Sequence, residues 1–281
     1  MIVIVISGIV WVAASSVYQM LQHSSTAQEN SVRMQQDERV AMDIFKSELR
    51  MAGYDPTSSK IFGITDISFR DLNNNLDSTN NGNSSITFTT DTNGNGAIDT
   101  NETYSYALYD FSEGTYDVAS RDLSRNTGGG RQLLAENIQY FELAYAYDAN
   151  GDGNLDTDGA GNIIWAIAQG NGSIWYNLDT NGDGQITAAD APAAVNGIST
   201  ITGVSTGTPI NRDANNRITD IRAIRIWMLI QSKASEKGYL DHNTYVVGRK
   251  IVIPSQMPSE QTSGHRYRLM EAIINCRNLG L

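Results

Sequence analysis

The first 53 residues lack the features that would break a helix or mark a secretory signal. No lysine or arginine precedes Arg33, so the basic region that opens a secretory signal peptide is missing. No charged residue of either sign precedes Glu29, and the first proline is Pro56. We therefore predict one continuous helix over residues 1–53.

The two halves of this predicted helix differ in character. Residues 1–25 are apolar or uncharged, whereas residues 26–53 interleave charges with apolar positions four apart, at Ala41, Phe45 and Leu49. A membrane span needs about 20 apolar residues, and residues 1–14 with the more polar SSVYQMLQ extension approach that length. We expect the first half to anchor in a membrane and to pack among similar helices. The alternative is a buried core helix, which would seldom continue as a polar rod.

Cysteine and histidine are too scarce for most catalytic or redox roles. Cys276 is the only cysteine, which excludes an intrachain disulfide, and we expect it to be buried. The three histidines have no zinc-pair spacing, and neither a Gly-x-Ser-x-Gly motif nor a phosphate-binding glycine loop is present. The chain is therefore predicted not to be an enzyme.

Negative charge is concentrated in the middle of the chain. Residues 54–220 contain 7 basic and 22 acidic residues, a net charge of −15, together with many Asn and Gly residues. Such a block argues against a nucleic-acid-binding face and repels itself unless a cation neutralises it. We expect bound metal ions to hold these loops together.

Residues 91–102, called loop 1, match the calcium-loop pattern D-x-[DN]-x-[DN]-G-x5-E at every required position. Calcium takes about six to eight oxygen ligands, which such a loop supplies at alternate positions as it turns. Gly96 allows the turn, and Ile98 is expected to face inward. The flanking stretches 85–90 and 103–111 have strand character, so the loop joins a hairpin. The predicted ligands are Asp91, Asn93, Asn95, the carbonyl of Ala97, Asp99 and Glu102.

Two further stretches follow the same pattern. Loop 2 (148–159) follows a predicted strand over 136–148 and has Gly159 at its twelfth position, so it lacks a closing carboxylate. Loop 3 (179–190) follows SIWYNL and closes with an aspartate, and we expect a helix to start in AADAPAAV. About three calcium ions are therefore expected. The predicted ligands are Asp148, Asn150, Asp152, the carbonyl of Asn154 and Asp156 in loop 2, and Asp179, Asn181, Asp183, the carbonyl of Gln185 and Asp190 in loop 3.

Other segments are predicted to form surface or sheet. Residues 71–77 and 213–220 echo the loop pattern without its glycine, and we expect solvated turns there. Residues 114–132 are expected to form a surface segment. Residues 218–232 alternate and predict a half-buried strand with Ile224 and Ile226 on one face and Arg225 and Trp227 on the other.

The helix sequence RMQQDERVAMDIFKSELRMAGYDP resembles PilW-type minor pilins of the type IV pilin and type II secretion pseudopilin superfamily. The ending HRYRLMEAIINCRNLGL is similar to the close of that family at Arg266, Arg268, Arg277 and Asn278, where structural pairing is expected. The family's leader and first mature residues are expected upstream of Met1.

The resemblance implies an α+β, pilin-like fold. Its long N-terminal helix (1–53) packs on an antiparallel sheet in a lobe over 54–281, with calcium-loop insertions at about 71–220 and sheet strands at 221–281. It implies a minor pilin that primes type IV pilus assembly near the tip. The expected partners are other minor pilins and the major pilin. The protein is expected first in the inner membrane, with the lobe in the periplasm, and then at the cell surface.

Two other functions remain open on the sequence. A J-type pseudopilin of a type II secretion system has the same architecture and caps a pseudopilus. Alternatively, the lobe is a calcium-dependent adhesin or carbohydrate-binding module, with Trp165, Trp175 and Tyr176 as candidate sugar-stacking residues. These aromatics are more often found in a core.

Overall fold

The computed structural model describes residues 2–70, 82–111, 121–169, 173–236, 238–258 and 264–279. It contains one long helix, α1, from Ile2 to Arg50, which corresponds to the helix predicted over residues 1–53. The chain turns at residues 51–53, where Gly53 adopts a left-handed conformation with φ of 75°.

Within the residues that the structure describes, no helix combines the length and apolar character needed to cross a membrane.

The C-terminal half of α1 docks on the rest of the protein through one face. Ala41, Met42, Phe45 and Leu49 are buried, at the spacing that places them on one side of a helix. The Phe45 ring centroid lies 5.5 Å from that of Phe141 in an edge-to-face arrangement. The predicted amphipathic half is therefore the part that joins the helix to the lobe.

The first sheet is a five-stranded antiparallel meander that follows the order of the chain. Glu48 of α1 forms an ion pair with Arg125 and accepts a hydrogen bond from the phenol of Tyr106. This cluster ties the helix to the sheet. The strands are β1 (Ile64–Arg70), β2 (Asn83–Thr89), β3 (Thr103–Tyr109), β4 (Asp122–Asn126) and β5 (Arg131–Ala135).

The second and third sheets are also antiparallel. The second has six strands in the order β10-β8-β7-β6-β11-β14, and the third has three in the order β12-β13-β9. The strands are β6 (Ile138–Tyr147), β7 (Ala166–Ala168), β8 (Ile174–Asn177), β9 (Ile198–Thr200), β10 (Val204–Pro209), β11 (Ile221–Gln231), β12 (Tyr245–Val247), β13 (Lys250–Val252) and β14 (Tyr267–Asn275).

The structure thus has three sheets in place of the single sheet expected behind the helix. The other sheets and α1 cover both faces of β11. Ile224, Ile226 and the next alternate residues lie in the core that includes α1 and the first sheet. Trp227 and Leu229 face the opposite way, into a second core with Val252 of the third sheet. The prediction of a half-buried strand was wrong for this reason. The region 71–220 likewise supplies most of the strands and is more than a set of insertions.

Two local predictions are corrected. The described part of the expected surface segment, residues 121–132, contains β4 and the start of β5, because pairing with β3 draws its polar sequence into a sheet, and residues 114–120 lie outside the described residues. In place of the helix expected in AADAPAAV, the chain forms only a 3-10 turn at Ala188–Asp190, the last residues of loop 3, since Pro192 disfavours the helical conformation in the residue before it. Cys276 is buried as predicted, and burial raises the pKa of its thiol to about 12.

A buried ion pair joins the three sheets. Glu142 of β6 and Arg249, in the turn between β12 and β13, each have side chains only 1% exposed, and Nε lies 3.0 Å from Oε2. The same carboxylate accepts a hydrogen bond from Ser84 of β2 at 3.1 Å. Arg249 also donates to the carbonyl of Gly82, and its guanidinium lies 3.5 Å from the ring centroid of Phe69. Because burial disfavours a lone charge, each member of this network depends on the others.

Candidate metal-binding loops and the cleft between them

Each of the three predicted loops follows a strand of the first or second sheet. Loop 1 joins β2 to β3, loop 2 follows β6, and loop 3 follows β8. The first residue of each loop is buried at the end of its strand, whereas positions 3 to 5 are exposed. The strands thus fix the start of each loop, and the ligand-bearing turn projects into solvent.

The aspartate at the first position organises each loop in the same way. In loop 1, Asp91 Oδ1 accepts the N–H groups of Gly94 (2.7 Å) and Asn95 (3.1 Å), and Oδ2 accepts that of Gly96 (3.0 Å). Asp148 and Asp179 accept the equivalent three N–H groups in loops 2 and 3, at 2.7 to 3.2 Å. One carboxylate therefore folds the first six residues of every loop.

Positions 3 and 5 repeat a second local pattern. The side-chain oxygen at each position accepts the N–H group two residues later, an Asx turn. In loop 1, Asn93 Oδ1 accepts from Asn95 at 2.9 Å and Asn95 Oδ1 accepts from Ala97 at 2.8 Å. Loops 2 and 3 reproduce both distances, with acceptors Asn150, Asp152, Asn181 and Asp183. Positions 3 and 5 therefore help to fold each loop into a tight turn.

Glycines at positions 4 and 6 make these turns sterically accessible. All six have φ between 72° and 86°, a region that residues with a Cβ rarely adopt. Gly96 also lies against Thr57, whose Oγ1 would be 2.8 Å from a Cβ at that position. The pattern's required glycine is thus explained by backbone conformation.

The twelfth residue closes loops 1 and 3 in the same manner. Glu102 accepts the N–H groups of Thr92 (2.8 Å), Asn93 (3.2 Å) and Asp99 (3.1 Å). Burial opposes ionisation of this carboxyl, but these donors outweigh it and lower its pKa. Asp190 accepts the three equivalent N–H groups in loop 3 at 2.7 to 3.2 Å, and its pKa is lowered for the same reason. Both carboxylates are buried and held in the ionised form.

Loop 2 departs from this arrangement at two points. Gly159 offers no carboxylate at position 12, and only Asp156 reaches the N–H of Ala149, at 3.4 Å. Asp148 also pairs with Arg222, whose Nη2 lies 3.3 Å from Oδ2. Loop 2 thus lacks the closing carboxylate at position 12 and has a cation already beside its first residue.

The acidic side chains do not converge in this structure. In the described parts of the chain, no three side chains drawn from His, Cys, Asp and Glu form a group that would hold a metal. In loop 1, the amide groups of Asn93 and Asn95 donate to Asp99 Oδ2 at 2.7 and 2.9 Å. The loop oxygens therefore face N–H donors within the loop. Ile98, which we expected to face inward, is 43% exposed, because the loop stands away from both cores.

Loops 2 and 3 form opposite walls of one open cleft of about 790 Å³, called the inter-loop cleft. Residues of β10 complete its lining. The sequence alone does not indicate this cleft, because its walls are about 30 residues apart in the chain and meet only through the pairing of β8 with β7 and β10.

The aromatics considered for sugar stacking belong to the core. Trp175 is fully buried, stacks on Tyr147 with ring centroids 4.9 Å apart, and donates from Nε1 to Asp220 at 3.0 Å. Trp165 and Tyr176 are half-buried against the second core. Because Asp220 is buried in this contact, residues 213–220 do not form the fully solvated turn that was predicted. Residues 71–77, the other predicted turn, lie outside the described residues.

The two stretches that resemble pilins meet at the end of α1. The side chain of Asn278 donates to the carbonyl oxygen of Arg50 at 3.1 Å. Arg266 makes two hydrogen bonds to Glu236, at 2.7 and 3.0 Å, in line with the structural pairing expected for it.

Residues 27–117, about a third of the chain, match the family model of prepilin peptidase-dependent protein B. No curated protein matches the sequence significantly. Among solved structures, the type IV-like pilin TTHA1219 from Thermus thermophilus is similar, with 9% identity and a TM-score of 0.36 over 89% of this chain and 99% of that chain. The family match supports a pilin-like protein related to pili.

Proposed function

We propose that this protein is a minor pilin that helps to initiate assembly of a type IV pilus and occupies a position at or near its tip. The helix α1 is the observation that carries this proposal. Its C-terminal half is fixed to the lobe through Phe45 and Glu48, while residues nearer the N-terminus extend from it.

The extended part of α1 presents apolar side chains to solvent. Trp11, Val17, Met20 and Leu21 are all more than half exposed. Packing of these apolar side chains against other helices removes them from water and therefore favours association of the helices. In the proposed function those partners are the helices of other minor pilins and of the major pilin, and before assembly the helix is held in the inner membrane with the lobe in the periplasm.

The test is a substitution in the chromosomal gene of the native host. Leu21→Glu places a charge on the apolar surface, whereas Gln19→Glu places the same charge at an exposed polar position about 200° away around the helix. We expect Leu21→Glu to abolish surface pili and Gln19→Glu to retain them. Equal loss, or no loss, in both variants contradicts the proposal. Loss of protein secretion with intact pili assigns the chain to a type II secretion pseudopilus instead.

We assign calcium a structural role in the lobe. Hard oxygen donors at positions 1, 3 and 5, turn glycines, and ionised carboxylates at position 12 of loops 1 and 3 fit calcium. When bound, calcium would offset the negative charge of the central region and order its loops. Asp91, Asn93, Asn95, Asp99 and Glu102 would hold it in loop 1, with the equivalent residues in loop 3.

The calcium assignment is tested by calorimetric titration of the full chain, purified in detergent, with thermal unfolding measured in parallel. We expect binding together with a higher melting temperature. An unchanged melting temperature with and without excess EDTA contradicts the structural role, while leaving the assembly role to the pilus assay.

A further inference from the structure

The inter-loop cleft has a lining suited to an uncharged polar ligand. Its volume of about 790 Å³ lies in the range of roughly 300–1,000 Å³ that is usual for ligand pockets. Neither lysine nor arginine lines it. Hydroxyl, carboxamide and four carboxylate groups line it together with a few apolar side chains. Those outside the two loops are Ile164, Asn177, Val204, Ser205, Thr206 and Thr208.

Each of the four carboxylates of the cleft, which belong to Asp152, Asp156, Asp158 and Asp179, accepts at least one hydrogen bond within the protein. Both oxygens of Asp179 accept backbone N–H groups of loop 3. Asp158 accepts the N–H groups of Ala160 and Asn162 and the Asn162 side chain, at 2.8 to 3.0 Å. A lysine or arginine of a partner would have to displace these bonds. The cleft is therefore acidic in sequence but poorly suited to the cationic side chain of a partner protein.

A buried hydroxyl lies behind one wall. The phenol of Tyr147, a residue only 1% exposed, has no hydrogen bond of good geometry among the described residues. Burial raises the pKa of this phenol, whereas the hydroxyls of Thr206 and Thr208, which line the cleft, lower its pKa. Tyr147 does not itself line the cleft, so the hydroxyls that face a ligand on this wall are those of Ser205, Thr206 and Thr208.

Apolar contact is also available beside these polar groups. Val204 is 52% exposed at the cleft, and Leu155 and Ile164 are half-buried there. A sugar ring has hydroxyls that both donate and accept and C–H faces that pack on apolar side chains. We infer that the inter-loop cleft binds a neutral oligosaccharide, through hydroxyls of β10 and apolar contact with Val204. This site goes beyond the assembly role and does not depend on it.

The test uses the full chain in detergent with calcium present. An array of neutral, sialylated and sulfated oligosaccharides identifies binders, and calorimetry measures the affinity of the best neutral one. The double variant Ser205→Ala/Thr208→Val removes two lining hydroxyls. Thr202→Val is the matched control, because Thr202 is exposed nearby but does not line the cleft. Thermal unfolding checks that both variants are folded.

We expect the double variant to bind the neutral oligosaccharide about tenfold more weakly, because two hydrogen bonds are lost, and the control to bind as the unmodified protein does. The inference is overturned if no neutral oligosaccharide binds, if the folded double variant binds unchanged, or if an oligolysine peptide binds in the cleft instead. Surface pili are counted for the same variants. Their retention in the double variant separates ligand binding from assembly.

Discussion

Asn278 caps the last turn of α1 by donating its side-chain amide to the carbonyl oxygen of Arg50. Gly53 lies so close to this segment that an added Cβ would be 3.0 Å from the backbone carbonyl oxygen of Asn278 and 2.8 Å from Cδ2 of Leu279. The chain's last described turn therefore fits directly against the end of the helix. Residues 51–54 (MAGY) and 277–278 (RN), some 225 residues apart in the chain, therefore pack against each other.

We expect Gly53→Ala to destabilise the lobe by about 2 kcal/mol. The left-handed φ costs a residue with a Cβ about 1–2 kcal/mol, and the contact with Leu279 adds to this. Gly207→Ala is the control, since Gly207 has φ of 71° but no atom near its Cβ position. Urea unfolding measures both. Equal losses would mean that the contact with Leu279 adds nothing to the backbone strain.

Calcium affinity should differ among the loops. Loop 1 and loop 3 end in ionised carboxylates, whereas loop 2 lacks one and has Arg222 beside Asp148. We expect loop 2 to bind most weakly and Glu102→Gln to remove one of the tighter sites from the calorimetric titration. Asp43→Asn, which removes an exposed carboxylate on α1, should leave the titration unchanged. A titration that is unaltered by Glu102→Gln would exclude loop 1 as a calcium site.

Without calcium, the stability of the lobe should fall in acid. The pKa values of Glu102 and Asp190 are lowered on folding, so these groups stabilise the folded state above the ordinary carboxyl pKa of about 4. This contribution is lost as the pH falls through their lower folded values. We expect Glu102→Gln/Asp190→Asn to be less stable than the unmodified protein at neutral pH and nearly equal to it in strong acid. Urea unfolding in EDTA at several pH values measures the difference, and a constant difference would contradict the prediction.

The Glu142–Arg249 pair should be strongly coupled. Glu142→Leu leaves a buried guanidinium without its carboxylate, and a change of this kind costs about 3–5 kcal/mol. Adding Arg249→Leu removes that stranded charge, so the double variant should be more stable than the sum of the single effects predicts. A double-mutant cycle from urea unfolding measures the coupling energy. Additive effects would show that the pair contributes no specific interaction.

The sequence was most informative where structure is local. The helix, several strands and the three loops were predicted because their signals lie within short windows, such as the four-residue spacing of Ala41 and Phe45. The loop residues at positions 1, 3 and 5 fold by bonds to neighbours within five residues, so their pattern specifies their geometry.

Features that depend on distant partners were missed. Arg125 lies in a polar stretch that was predicted to be surface, yet it pairs with Glu48 and lies in β4, a contact across 77 residues. Trp227 was assigned to an open face, but the third sheet covers it. The inter-loop cleft arises from strand order, which no local window of the sequence encodes.

The self-contained bonding of loops 1 and 3 makes each of them a portable unit. Either twelve-residue stretch brings its own turn residues and closing carboxylate. The same unit joins two paired strands at loop 1 and leads from the second sheet to the third at loop 3. The richness of the central region in Asn, Asp and Gly is then the mark of a repeated module rather than of unstructured linker.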